Sequence, residues 1–151
     1  MHLYFLRHGA ADWPDWNRPD NERPLTKAGR KELDRVGELL ARLEADPDLI
    51  LTSPLPRAAQ TADIAAEHLG VRVHEEKMLA PGFRAQDLKR LRRKYPQQIL
   101  MLVGHEPDFS SVIASLTGGN VKLPKGGVAL VELAEGKGQL RWLLPAKVAK
   151  K

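Results

Sequence analysis

Two short runs, Leu3-Tyr4-Phe5-Leu6 and Ile99-Leu100-Met101-Leu102-Val103, are apolar at every position. A strand that buries one face alternates apolar and polar residues; one that is apolar throughout needs a covering layer on each side. This requirement points to a sheet held between helices, and the rest of the chain supplies them. Leu33, Val36, Leu40 and Leu43 recur at steps of three and four, with Thr26 as N-cap and Pro47 as the end. Ala58, Ala62, Ala65 and Leu69 make a second stripe, stopped by Gly70. Leu88, Leu91 and Tyr95 mark a third helix over 86–95. Phe109, Val112, Ile113 and Leu116 mark a fourth, with Pro107 in its first turn and Gly118-Gly119 as its stop. Leu49-Ile50-Leu51-Thr52 forms a short strand, and Val71 and Val73 mark another candidate.

Near the end, Val128 to Leu133 and Gln139 to Leu144 flank Glu135-Gly136-Lys137-Gly138, a hairpin pattern. Alternating strands and helices imply the α/β class: a three-layer α/β/α sandwich, mostly parallel, with a C-terminal antiparallel hairpin. The 151 residues suit one domain, 1–151, without repeats or linkers, and 146–151 reads as a flexible basic tail. No apolar stretch is long enough for a membrane span, and MHLYFLRHG lacks the features of a secretion signal. With no cysteine, disulfides and thiolate metal sites are excluded. A cytoplasmic location without membrane partners is therefore expected. The net charge of +5 gathers in 84–94 and in the tail. Segment 84–94 is either a solvated helix face or a docking face for an acidic partner, and nucleic acid is not expected.

Ligands of open parallel sheets bind beyond the carboxyl ends of the strands. Three such ends here carry Arg7-His8-Gly9, Ser53-Pro54 leading to Arg57, and Gly104-His105-Glu106. Two arginines and two histidines at one edge repel one another unless a dianion lies among them. A phosphoryl group fits: arginine forks its oxygens, helix N-termini add positive potential, and a neutral imidazole nitrogen can attack phosphorus. The segment from Ala10 to Pro24 has no period and holds Pro14, Pro19, Pro24, Trp13 and Trp16. Either it forms a rim or lid over the site, or its tryptophans anchor it to the core.

Together, Arg7-His8-Gly9, Ser53-Pro54-x-x-Arg57-Ala58-x-Gln60-Thr61 and Gly104-His105 resemble the histidine phosphatase (phosphoglycerate mutase-like) superfamily. The short length and Arg23-Pro24-Leu25-Thr26 with Gly29 resemble its compact SixA-like branch, the protein phosphohistidine phosphatases. The resemblance runs from Met1 to about Leu144. It implies a phosphoglycerate mutase-like fold in which His8 is the nucleophile. Arg7, Arg57 and His105 would bind the phosphoryl oxygens, and water would then hydrolyse phospho-His8. No metal or cofactor is implied, because cationic side chains take the part that magnesium plays elsewhere. Gly9 is expected to turn the chain and leave the substrate room, with Trp13 and Trp16 at the rim. His2, His68 and His74 match no motif position and are expected at the surface.

Many members of the superfamily protonate a departing alkoxide with a carboxylic acid. The matching region here, Met78 to Arg84, has no acidic residue before Asp87. The other candidates are Asp12, Asp15, Glu106 and Asp108. Glu106 ranks first because it adjoins His105, with helix capping as its alternative role. An alkoxide needs a proton in the transition state, whereas imidazole, with a pKa of roughly 6.5, departs with little help. The expected substrate is therefore phosphohistidine on a signalling or phosphocarrier protein. The alternatives are a phosphomonoesterase acting on sugar or nucleotide phosphates, and a non-catalytic phosphate-binding module. A mutase would need a second anion site, for which no motif is present.

Overall fold

In the computed structural model, which describes residues 1–149, the two fully apolar runs form the central strands β1 (His2–Arg7) and β4 (Ile99–Gly104). With β2 (Leu49–Thr52), β3 (Val73–Glu75), β5 (Val128–Ala134) and β6 (Lys137–Leu144) they make one sheet, ordered β3-β2-β4-β1-β5-β6. The first four strands of that order are parallel; β5 and β6 are antiparallel. The helices are α1 (Lys27–Arg42), α2 (Pro56–Leu69), α3 (Ala85–Lys94) and α4 (Asp108–Thr117).

Strand side chains divide by parity, since successive Cβ atoms point to opposite faces. Leu3, Phe5, Leu100 and Leu102 pack with Leu88, Leu91, Phe109 and Ile113 of α3 and α4. Tyr4, Leu6, Met101 and Val103 pack with Leu33, Val36, Ala58 and Ala62 of α1 and α2. This is the expected three-layer sandwich. Burying one such leucine or phenylalanine stabilises the fold by about 1.5–3 kcal/mol, and Phe5 gains further from edge-to-face contact with Phe109 at 5.1 Å. Among the described residues, no helix is long and apolar enough to cross a membrane.

Boundaries follow local chemistry. Thr26 caps α1 by accepting the Gly29 N–H at 3.0 Å, but the helix stops at Arg42, short of Pro47, and the chain reverses with Glu44 at φ 57°. Pro56 opens α2, and Gly70 closes it at φ 66°, a left-handed position that glycine takes without strain. Pro107 stands just before α4 instead of inside its first turn. The hairpin is tighter than its four-residue pattern suggests. Glu135 and Gly136 alone make the turn, both at positive φ as a type I′ turn requires, and Lys137 already belongs to β6.

The expected flexible tail is corrected over most of its length. Residues Ala146–Ala149 form a 3₁₀ turn whose two alanines are buried on the α1 side of the sheet. The remainder of the expected tail, 150–151, lies outside the described residues.

Candidate functional site

β1 and β4 pair in parallel with Arg7 opposite Gly104, and the ladder continues past the strand ends. The His8 N–H donates to the Gly104 carbonyl at 3.1 Å, and the Ser53 N–H donates to the Val103 carbonyl at 3.0 Å. His8, Ser53 and His105 thus leave three adjacent strands at one level. The rings of His8 and His105 stand 5.2 Å apart between centroids. Arg7 ends β1, and Arg57 projects from the first turn of α2. Arg7, His8, Arg57 and His105 all line one cleft of about 350 Å³.

Nδ1 of His8 lies 2.8 Å from the Gly9 carbonyl oxygen. A carbonyl can only accept, so Nδ1 carries the proton and Nε2 keeps its lone pair. Burial lowers the His8 pKa to about 4, aided by His105, Arg57 and Arg7 and opposed by the Gly9 carbonyl. Burial and the same two arginines lower that of His105 to about 4. Both imidazoles are neutral at pH 7. The repulsion anticipated among four cations is therefore relieved before any anion arrives, and the positive field comes from the arginines.

Each arginine is held by backbone. Arg7 Nη1 donates to the Leu123 carbonyl at 3.0 Å, while its buried Nε has no partner. Arg57 Nη1 donates to the Asp20 carbonyl at 3.1 Å, and Nη2 lies 3.6 Å from the Asp20 carboxylate. That carboxylate also pairs with Arg23 at 2.6 Å, and the buried Nε of Arg23 is again unpartnered. A buried donor without an acceptor costs about 1–3 kcal/mol, so both guanidinium groups carry a local penalty in the packed fold.

Asp20, Arg23 and Lys125 line the cleft without having been singled out as site residues. Arg23 was legible, standing in the Arg-Pro-Leu-Thr stretch. Asp20 and Lys125 had no signal, since one lies in the aperiodic loop and the other between Pro124 and Gly126. Among the described residues, no group of three or more His, Asp or Glu side chains is gathered for a metal ion.

Three expectations change. Gly9 does not line the cleft, and its missing side chain serves packing: a Cβ there would lie 2.2 Å from Leu33 Cδ2 of α1. Trp13 and Trp16 neither line the cleft nor enter the core. They stack loosely on each other at 6.4 Å, with their indole N–H groups on the Pro24 and Pro19 carbonyls, and so brace the loop on itself. The rim comes instead from charged residues of that loop, Asp12, Asp20 and Arg23.

Glu106 lines the cleft, but its carboxylate accepts the Ser110 N–H at 2.7 Å, the Ser110 hydroxyl and the Leu123 N–H at 3.1 Å. It thereby caps α4, the alternative role expected for it. Asp12 pairs with Lys125, whose hydrogen bond holds the carboxyl below its usual range. Asp108 accepts the Gly82 N–H and Asp87 the Arg84 N–H, and neither lines the cleft; nor does Asp15, which sits in the loop at φ 60°.

The family model for the histidine phosphatase superfamily (branch 1) matches residues 3–110. An uncharacterized protein of Picosynechococcus is 37% identical over 96% of this chain and 100% of its own length. The protein histidine phosphatase SixA complexed with tungstate superposes with a TM-score of 0.86 at 24% identity, covering 99% of this chain and 100% of that one. An Agrobacterium tumefaciens chain assigned as a phosphohistidine phosphatase SixA gives 0.81 at 25% identity, covering 95% and 96%. The same fold carries a mycobacterial glucosyl-3-phosphoglycerate phosphatase, at 0.76 and 16% identity over 95% and 99% of the two chains.

Proposed function

The chain belongs to the histidine phosphatase superfamily, and from that premise we propose that it transfers the phosphoryl group of a protein phosphohistidine to Nε2 of His8 and then to water. One observation carries the reading: the cleft holds a free nucleophile beside carboxylates that are all engaged. Glu106 accepts three hydrogen bonds, Asp12 pairs with Lys125, and Asp20 is shared by Arg23 and Arg57. A departing alkoxide would find no ready proton donor there. A phosphohistidine ring protonated on its second nitrogen departs as neutral imidazole, so the departing atom needs none.

In the first step the Nε2 lone pair of His8 forms a bond to phosphorus. The substrate P–N bond breaks, and its electron pair leaves with the substrate imidazole. Arg7, Arg57 and His105 hold the phosphoryl oxygens and offset their charge. Positive charge then appears on the His8 ring, where the Gly9 carbonyl stabilises the Nδ1–H. In the second step water attacks phosphorus, the Nε2–P bond breaks, inorganic phosphate leaves and a proton passes to solvent.

Two measurements test this. Rapid quench into alkali, where phosphoramidates survive, should trap labelled phosphate on the wild-type enzyme; equal label on His8→Ala would end the mechanism. The kcat/KM for a phosphohistidine protein should exceed that for a panel of phosphate monoesters. The reverse order would favour the small-molecule phosphomonoesterase, an activity that the same fold supports in glucosyl-3-phosphoglycerate phosphatase. Phosphate binding without turnover of any substrate would leave a non-catalytic module.

A further inference from the structure

We infer that Ser53 is a positioning residue that holds His105 as its Nδ1–H tautomer, so that a neutral imidazole offers the cleft a hydrogen-bond donor. The inference deepens the phosphoryl-transfer reading and rests on it for its kinetic consequence, although its spectroscopic test stands apart.

Ser53 is fully buried at the end of β2. Its Oγ lies 2.8 Å from His105 Nε2 and accepts the Leu55 N–H at 3.2 Å. A hydroxyl has one proton and two lone pairs. Were the ring proton on Nε2, Oγ would accept twice, and its own proton would have no acceptor among these contacts. With Nε2 accepting, every group is matched: Leu55 N–H to Oγ, Oγ–H to Nε2, and the ring proton on Nδ1.

Among the described residues, the buried side-chain polar atoms without a partner are Arg7 Nε, Arg23 Nε and Gln97 Oε1. His105 Nδ1 has no partner among the described residues and is not among these buried atoms, so it is open to the cleft that His105 lines. Burial lowers the pKa of His105 to about 4, which leaves a single ring proton to place at pH 7. The two facing rings are thus made opposite by their other partners. The Gly9 carbonyl, which can only accept, puts the His8 proton on Nδ1 and frees Nε2 to attack. The Ser53 hydroxyl, which donates, puts the His105 proton on the edge that meets the phosphoryl oxygens. A neutral donor adds a hydrogen bond there without repelling Arg7 and Arg57.

The test is ¹⁵N-histidine NMR of the intact protein at pH 7, with kinetics on phosphoramidate. Wild-type His105 should show a protonated Nδ1 and an unprotonated Nε2. Ser53→Ala should lose that preference. Its kcat should fall by about 10–100-fold, within or below the ~10²–10³ for removing a transition-state donor outright, with KM little changed. Ser53→Thr, which keeps the hydroxyl, should restore the tautomer and most of kcat. A protonated Nε2 in the wild type overturns the inference whatever the variants do, and so does Ser53→Ala with tautomer and kcat intact. A wild type that turns over no phosphorylated compound defeats the proposed function instead, and the NMR result still decides the tautomer.

Discussion

Thr61 Oγ1 accepts the backbone N–H of Gly9 at 3.1 Å, tying helix α2 to the strand end that carries His8. The Thr61 proton goes to the Arg57 carbonyl at 2.8 Å. The Gly9 carbonyl in turn orients His8 through Nδ1. One fully buried hydroxyl therefore sets the spacing between Arg57 and His8. Thr61→Val keeps the shape but strands the Gly9 N–H, at a cost of about 1–3 kcal/mol. The urea midpoint should fall, and kcat should drop roughly tenfold if ~1.4 kcal/mol of transition-state positioning is lost. Unchanged stability and rate would show that the link is idle.

The two histidines make the protein sensitive to acid. Their folded-state values of about 4 lie below the ordinary 6.5. The unfolded chain therefore takes up protons first as pH falls. Their contribution to stability is complete above about 6.5 and is lost as pH drops toward 4. Chemical-shift titration of the ring protons should show midpoints near 4, and bound inorganic phosphate should raise them. Midpoints near 6.5 without phosphate would mean that the rings are solvated.

Asp20 occupies two cations of the cleft, since its carboxylate lies between Arg23 and Arg57 while remaining 71% exposed. Exposed pairs of this kind contribute about 0.2–1 kcal/mol. Asp20→Asn should therefore tighten inorganic phosphate binding by up to about fivefold in titration calorimetry. Weaker binding would mean that Asp20 organises Arg57 rather than competing for it.

Three cations of the basic segment lie far from the cleft. Lys89, Arg92 and Arg93 share a groove with Met1 and Gln98, where β1 and β4 begin, whereas His8 and His105 follow the strand ends. Strands of this length span about 20 Å, more than two Debye lengths at physiological salt. Combined Lys89→Glu and Arg93→Glu should leave kcat/KM on a phosphohistidine protein within about twofold, given that screening. A large loss confined to the protein substrate would place its docking on this face.

The layers and much of the candidate site could be read from the sequence. The apolar runs of β1 and β4 require cover on both faces, and the stripes of α1 to α4 provide it. Arg7, His8, Arg57 and His105 were legible because each follows a strand or opens a helix. What surrounds them depends on the packed fold. Asp20 and Lys125 reach the cleft from segments without a period, so no local pattern announced them. The buried alanines of the C-terminal turn were hidden among lysines for the same reason. Both histidines are neutral because the assembled layers remove water from them, and desolvation belongs to the packed fold rather than to any stretch of chain. Gly9 shows the difference at one residue: its place after a strand is written locally, but its need to lack a side chain comes from Leu33, twenty-four positions away.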